Sequence, residues 1–295
     1  HYLLARAIAA IVVFLLWHEP LARRVFGRGI EQQERVEGSG AIEPRGGVVM
    51  QHEDRIELSV IIPAFNEAER LPLALTDIGR VLRERGLPAE VIVVDDGSID
   101  VTERAALAFR EQLPELRVIR YERNRGKGFA VKTGVLAARG ELILFMDADN
   151  SVSLDNMDLL LEPLRDGAAA AIGSRYADPR TVMRRQPWFR VAWSRLANWV
   201  VQRALIDGIV DTQCGFKAFR AEPAKEVFPK LTIERWGFDM EVLTLLRRGG
   251  HSIAEIPVPF HDDRRTRINP LSDLWCVVRD FLYIRRNLAL GVYEG

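Results

Sequence analysis

Lysine is scarce in this chain of 295 residues: five Lys stand against 36 Arg. Cysteine is scarcer, with only Cys214 and Cys276, so neither a disulfide scaffold nor a cysteine-rich zinc site can be built. Net charge is also missing, because 41 basic residues balance 41 acidic ones. A general nucleic-acid binder needs a basic excess, so no nucleic-acid partner is expected. The five histidines are scattered, three of them before residue 53. Gly-x-Gly-x-x-Gly after a first strand, Gly-x-x-x-x-Gly-Lys-Ser/Thr, Gly-x-Ser-x-Gly and His-Glu-x-x-His do not occur. Their absence disfavours a dinucleotide-binding domain, a P-loop, a serine hydrolase and a zincin.

Long apolar runs are nearly absent. The exception is Tyr2–Trp17, YLLARAIAAIVVFLLW, interrupted only by Arg6 and followed by Arg23, Arg24 and Arg28. It falls a few residues short of the ~20 expected for a bilayer span. Basic residues after it put that side in the cytoplasm by the positive-inside tendency. The expectation is a membrane-anchor helix over residues 1–26 and a polar, Gly-containing linker over 27–55.

From Glu57 short apolar, β-branched runs alternate with amphipathic ones. LSVIIPAF, EVIVVDDGS, LRVIRY, ELILFMDAD and AAAAIGSRY read as strands. Between them lie helical patterns, the first with Leu71, Leu75, Ile78 and Leu82 at 3–4 spacing and Asn66 as its expected cap. Repeated βα units predict an α/β fold, a mainly parallel sheet with helices on both faces. In such sheets ligands bind beyond the carboxyl ends of the strands. The polar clusters Pro63–Glu67, Asp95–Ser98, Asn124–Lys127, Asp147–Asn150 and Gly173–Arg175 are therefore expected to converge. DTQCGFKAFR reads as a ribbon or loop, Arg235–Gly250 as a helix, HSIAEIPVPF as a late strand and Leu271–Leu290 as a C-terminal amphipathic helix.

Asp147 and Asp149 stand at i and i+2 past a strand, where two carboxylates can share a hard divalent cation with a diphosphate. Asp-x-Asp is also common in turns. Asp95–Ser98 can serve a ligand or cap a helix. Asn124–Gly128, NRGKG, is Gly-rich and basic and opens a helix, a combination that can hold an anion. Arg175–Arg203 carries seven Arg against one acid, interleaved with Trp188, Trp193 and Trp199. That pattern suits a membrane interface and a phosphate ligand.

Taken in order, LSVIIPAFNE, EVIVVDDGS, RNRGKG, LILFMDAD, IGSRY, DTQCGFKAF and RWGFDMEVL resemble the family 2 glycosyltransferases. The branch they resemble most glycosylates dolichyl or polyprenyl phosphate. The resemblance covers about Glu57–Gly250 and implies a GT-A-type Rossmann-like catalytic domain, placed over 56–260; the C-terminal helix with its mixed apolar and Arg positions makes 261–295 the expected membrane-associating segment. It implies a membrane-bound or peripheral enzyme with its catalytic domain facing the cytoplasm. The implied reaction is an inverting transfer of glucose from UDP-glucose to a polyprenyl phosphate, with Mg2+ or Mn2+ as cofactor.

Carried over by match, Pro63, Phe65, Glu67, Asp96 and Lys127 would line the nucleotide-sugar pocket. Asp147 and Asp149 would hold the metal, Arg175 would meet the phosphates, and Arg184, Arg185 and Ser194 would take the acceptor phosphate. Asp239 and Glu241 would lie by the sugar as catalytic groups. GDP-mannose as donor, a noncatalytic nucleotide-sugar-binding membrane protein, and a soluble hydroxyl acceptor with Asp239 or Glu241 as general base stand as alternatives. Gln-x-x-Arg-Trp of processive synthases is matched only by Arg235-Trp236, without the Gln, and 59 residues after Trp236 leave little room for several spans.

Overall fold

Strand β1, Leu58–Ala64, is buried at six of its seven positions. An apolar run covered on both faces is what a central parallel strand requires. In the computed structural model the described residues are 55–175, 206, 208–260 and 270–294. The expected anchor Tyr2–Trp17 and the Arg/Trp-rich stretch Arg180–Arg203, with Arg184, Arg185 and Ser194, lie outside them.

The chain continues as α1 (Leu71–Arg85), β2 (Ala89–Asp95), α2 (Thr102–Leu107), β3 (Leu116–Arg120), α3 (Lys127–Ala137) and β4 (Leu142–Met146). A short 3-10 turn leads into α4 (Met157–Arg165), then β5 (Ala170–Ser174), β6 (Phe216–Arg220) and α5 (Ala221–Val227). Helix α6 (Phe238–Arg248), β7 (Ile253–Pro257) and α7 (Pro270–Ala289) complete it.

The seven strands form one sheet in the order β3-β2-β1-β4-β6-β5-β7. All neighbouring pairs are parallel except those of β6, which runs antiparallel to both β4 and β5. The expected parallel α/β sheet is present, and DTQCGFKAFR supplies the one reversed strand. Phe216, Ala218 and Phe219 of β6 are buried, and so is Lys217. That interior lysine is why the segment did not read cleanly as a strand.

Helix α1 buries the expected stripe of Leu71, Leu75, Ile78 and Leu82 and ends on Gly86, whose left-handed φ of 59° lets its N–H return to Arg83. Its start differs from expectation. Asn66 does not cap it. Its φ is 55°, and its Oδ1 accepts from Ile99 N at 3.0 Å while its own N–H donates to Ser98 Oγ at 2.9 Å. Asn66 ties the loop after β1 to the loop after β2. Pro72 enters α1 within its first turn, where a missing N–H costs nothing.

Helix α7 matches the expected C-terminal helix. Among the described residues no helix is long and apolar enough to cross a membrane.

Candidate active site

The register brings the predicted clusters to one edge. Ala64 pairs with Asp95, and Ile61 pairs with Phe145, so Phe65–Glu67, Asp96 and Asp147–Asp149 all leave the sheet at the carboxyl ends of neighbouring strands. Pro63 closes β1 there, half-buried, and Phe65 is exposed beyond it.

Asp147 is the first residue past β4. Its N–H donates to Gly215 O at 3.1 Å, and its Oδ1 meets Lys127 Nζ at 2.6 Å. A methyl group on Gly215 would sit 1.9 Å from Asp147 Oδ2, so the carboxylate occupies space that only glycine leaves open. Asp149 follows on a tight turn. Its Oδ1 accepts from Ser151 N and Oγ at 3.0 and 2.7 Å. Asn150, at φ 54°, reaches back to Asp77 of α1 at 3.2 Å, and Ser153 donates to the same Asp77 oxygen at 2.9 Å. Helix α1 thereby fixes the turn that carries both aspartates.

Glu67 lies beside them, its carboxylate accepting from Arg70 Nε and Nη2 at 2.6 and 2.5 Å. Burial raises its pKa above the ordinary carboxylate value, Arg70 opposes that, and Asp149 and Asp147 push it up again. Three carboxylates thus crowd one edge. Lys127 answers them. Burial works against its charge, but Asp147 and then Asp239 outweigh burial and raise its pKa. Its ammonium also lies 5.1 Å from the Trp236 ring.

Asp239, on α6, is buried and bonded through Oδ1 to Lys217 Nζ at 2.5 Å. Burial raises its pKa, with Lys217 and Lys127 opposing. Lys217, unexposed on β6, also donates to Cys214 O at 2.5 Å. The sequence pattern does not single out Lys217 as a site residue. The available signal was a lysine amid the apolar residues of FKAFR.

Other expected site residues have structural partners. Asp96 is buried, and its carboxylate accepts from Arg125 N at 2.8 Å, Gly126 N at 2.8 Å and Asn124 Nδ2 at 2.7 Å. It fixes the NRGKG loop. Two amides of that loop, Arg125 N and Gly126 N, are taken by the Asp96 carboxylate. Phe129 N donates to Glu234 O at 2.9 Å, and a methyl on Gly126, at φ 112°, would strike that same oxygen at 2.6 Å. The glycines let the loop pack against Thr232–Gly237.

Arg175 donates from Nε and Nη2 to the two oxygens of Asp211, at 2.8 and 2.9 Å. Asp211 is buried, and Arg175 holds its pKa below the usual value despite that burial. Glu241 is not brought to the cluster. It is fully buried and accepts from Thr232 N and Oγ1, Ile233 N and Tyr293 OH. Its carboxylate clamps the Thr232–Gly237 segment to the C-terminal residues, which corrects the expectation of a place by the sugar.

Among the described residues no group of three or more His, Cys, Asp or Glu could hold a metal ion. Asp147 and Asp149 are two hard oxygen ligands at a sheet edge, with a cationic side chain already on one of them. That donor set fits an Mg2+- or Mn2+-type ion that takes its remaining ligands from phosphate oxygens and water, not one held in a protein cage.

The model of glycosyl transferase family 2 matches residues 59–228. A dolichyl-phosphate beta-glucosyltransferase of Dictyostelium discoideum is 35% identical over 254 residues, 82% of this chain and 77% of that protein. The Homo sapiens protein of the same name is 34% identical over 251 residues, 81% and 78% of the two chains. Among solved structures, mannosyl-3-phosphoglycerate synthase from Rubrobacter xylanophilus superposes with TM-score 0.62 at 19% identity, covering 80% of this chain and 75% of that one. Glucosyl-3-phosphoglycerate synthase from Mycobacterium tuberculosis, solved with Mn2+, UDP and glucosyl-3-phosphoglycerate, does so with TM-score 0.54 at 22% identity, covering 79% of each. The two structural likenesses establish a shared fold.

Proposed function

The chain belongs to glycosyl transferase family 2, and from that premise we propose that it transfers glucose from UDP-glucose to dolichyl or polyprenyl phosphate with inversion. The observation that carries the reading is the gathering of Glu67, Lys127, Asp147 and Asp149 at one sheet edge. It occurs in a chain that aligns with dolichyl-phosphate beta-glucosyltransferases across most of both lengths.

In this reading Pro63, Phe65 and Glu67 border the nucleotide pocket, and Asp96 shapes it by holding the loop that carries Lys127. Asp147 and Asp149 would hold Mg2+ or Mn2+, which when bound would supply charge stabilisation for the leaving diphosphate. Arg175, oriented by Asp211, adds positive charge at the end of β5. Arg184, Arg185 and Ser194 are proposed to take the acceptor phosphate.

An acceptor oxygen attacks the anomeric carbon from the face opposite the diphosphate. The new C–O bond forms as the bond to the leaving oxygen breaks. A phosphate monoester, with a second pKa near ~6, is largely dianionic at neutral pH and needs no general base. Asp239 fits that scheme, since its Oδ1 is already committed to Lys217. We assign residues 56–260 to catalysis and residues 1–26 and 261–295 to the membrane, with the catalytic domain in the cytoplasm.

The test is transfer of labelled glucose from UDP-glucose into an organic-soluble product, using the full chain, Mn2+ and a short polyprenyl phosphate. Exclusive use of GDP-mannose, or of a soluble hydroxyl acceptor, would replace this reading.

A further inference from the structure

Two of the five lysines in this arginine-rich chain lie in the site, one touching Asp147 and one touching Asp239. The series Lys217, Asp239, Lys127, Asp147 alternates in sign from the core to the sheet edge. Lys217 is unexposed, Asp239 is 2% exposed, and the Lys127 side chain is 13% exposed. Only Asp147 is substantially open to solvent, at 35% for its side chain.

A divalent ion on Asp147 must occupy the neighbourhood that Lys127 Nζ fills at 2.6 Å from Oδ1. Two cations cannot share it without strong repulsion, because a partly desolvated site screens poorly. An ammonium displaced from Asp147 cannot stay buried and unpaired either. A second carboxylate belongs to the same neighbourhood: the ammoniums of Lys127 and of Lys217, the partner of Asp239, lie 5.5 and 5.2 Å from the centroid of one Phe145 ring. Asp239 Oδ1 accepts from Lys217 Nζ at 2.5 Å, which leaves the carboxylate a second oxygen.

We propose that Lys127 is a stand-in cation for Asp147, which it releases for Asp239 when the divalent ion arrives. The inference rests on the reading of Asp147 and Asp149 as metal ligands. It explains the residue type. An ammonium on a flexible four-carbon stem can change partners by bond rotation, whereas a guanidinium binds through a rigid planar fork. It also explains Lys217, whose buried charge offsets that of Asp239 and holds it in place whether or not Lys127 has arrived. Binding the ion then shifts one positive charge inward and leaves the edge with the ion alone.

The test is a double-mutant cycle read by Mn2+ binding in isothermal titration calorimetry on the full chain. Lys127→Met should tighten Mn2+ binding about tenfold, since no ammonium then competes. Asp239→Asn should weaken it about tenfold when Lys127 is present and less than about twofold in the Lys127→Met background. Simple electrostatics predicts equal weakening in both backgrounds, and that result overturns the exchange while leaving the metal reading intact. Failure of the wild-type chain to bind Mn2+, with or without UDP, overturns both. If Asp239→Asn does not fold, Lys217→Met combined with Asp239→Leu takes its place in the cycle, because that pair leaves no buried charge alone.

Discussion

Gly215→Ala separates catalysis from stability at this site. The added methyl would lie 1.9 Å from Asp147 Oδ2, 2.4 Å from Cγ and 2.9 Å from Oδ1. No non-bonded carbon–oxygen pair tolerates 1.9 Å, so the carboxylate must retreat by roughly 1.5 Å to reach an ordinary contact. The backbone is no obstacle, because Gly215 is not among the residues with positive φ. Asp147 is partly exposed and can swing toward solvent, so the cost in stability should sit at the low end of overpacking, about 1 kcal/mol. That corresponds to a fall in Tm of roughly 3 °C. The functional cost should be far larger. A ligand displaced by ~1 Å typically costs about 100-fold in rate. Thermal melts followed by circular dichroism and kcat/KM for labelled-glucose transfer give the two numbers. A Gly215→Ala variant within twofold of wild-type kcat/KM would refute the assignment of Asp147 to the reacting site.

Glu90, unexposed on β2, accepts from Ser59, Arg139 and Arg117; burial would raise its pKa, but these bonds outweigh it and hold the carboxyl below its ordinary value. A depressed carboxylate adds stability above its unfolded value that is lost as pH falls through the folded one. Stability should therefore drop below about pH 4.5, and Glu90→Gln should flatten that limb in pH-dependent urea melts, at a cost near 2 kcal/mol at neutral pH. Glu241→Gln should lower Tm yet leave kcat/KM per folded molecule within about twofold, since the carboxylate serves four hydrogen bonds away from the site. Arg175→Lys keeps the charge but loses the two-point hold on Asp211, so about tenfold lower kcat/KM is expected, with a measurable fall in Tm. Asp77→Ala should weaken Mn2+ binding about tenfold in calorimetry by loosening the turn held through Asn150 and Ser153.

The sheet was readable because buried parallel strands announce themselves as continuous apolar runs, and all five early ones appear where LSVIIPAF, EVIVVDDGS, LRVIRY, ELILFMDAD and AAAAIGSRY put them. The edge at which Glu67, Lys127, Asp147 and Asp149 meet was also readable, because strand ends of one parallel sheet converge whatever their separation along the chain. Partners across the fold were not. Glu241 looked like a site acid from its neighbour Asp239, but two residues apart on a helix is ~200° around its axis, and only one of them faces the cluster. NRGKG looked like an anion loop because close packing and phosphate binding both demand glycine. Asn66 looked like a cap because nothing local reveals that Ser98 and Ile99 of the next loop claim it. Lys217 was hidden by its own strand, since the carboxylate that answers a charge inside FKAFR is Asp239, which lies on a later helix.

The central claim is glucosyl transfer to a lipid phosphate at Asp147 and Asp149. Its most direct test compares the full chain with Asp149→Ala in Mn2+, labelled UDP-glucose and a short polyprenyl phosphate, counting label extracted into organic solvent. The account predicts lipid-linked glucose from the wild-type chain, and a loss of at least about 100-fold in a folded Asp149→Ala variant. No lipid-linked glucose from the wild type, or undiminished product from Asp149→Ala, would contradict it.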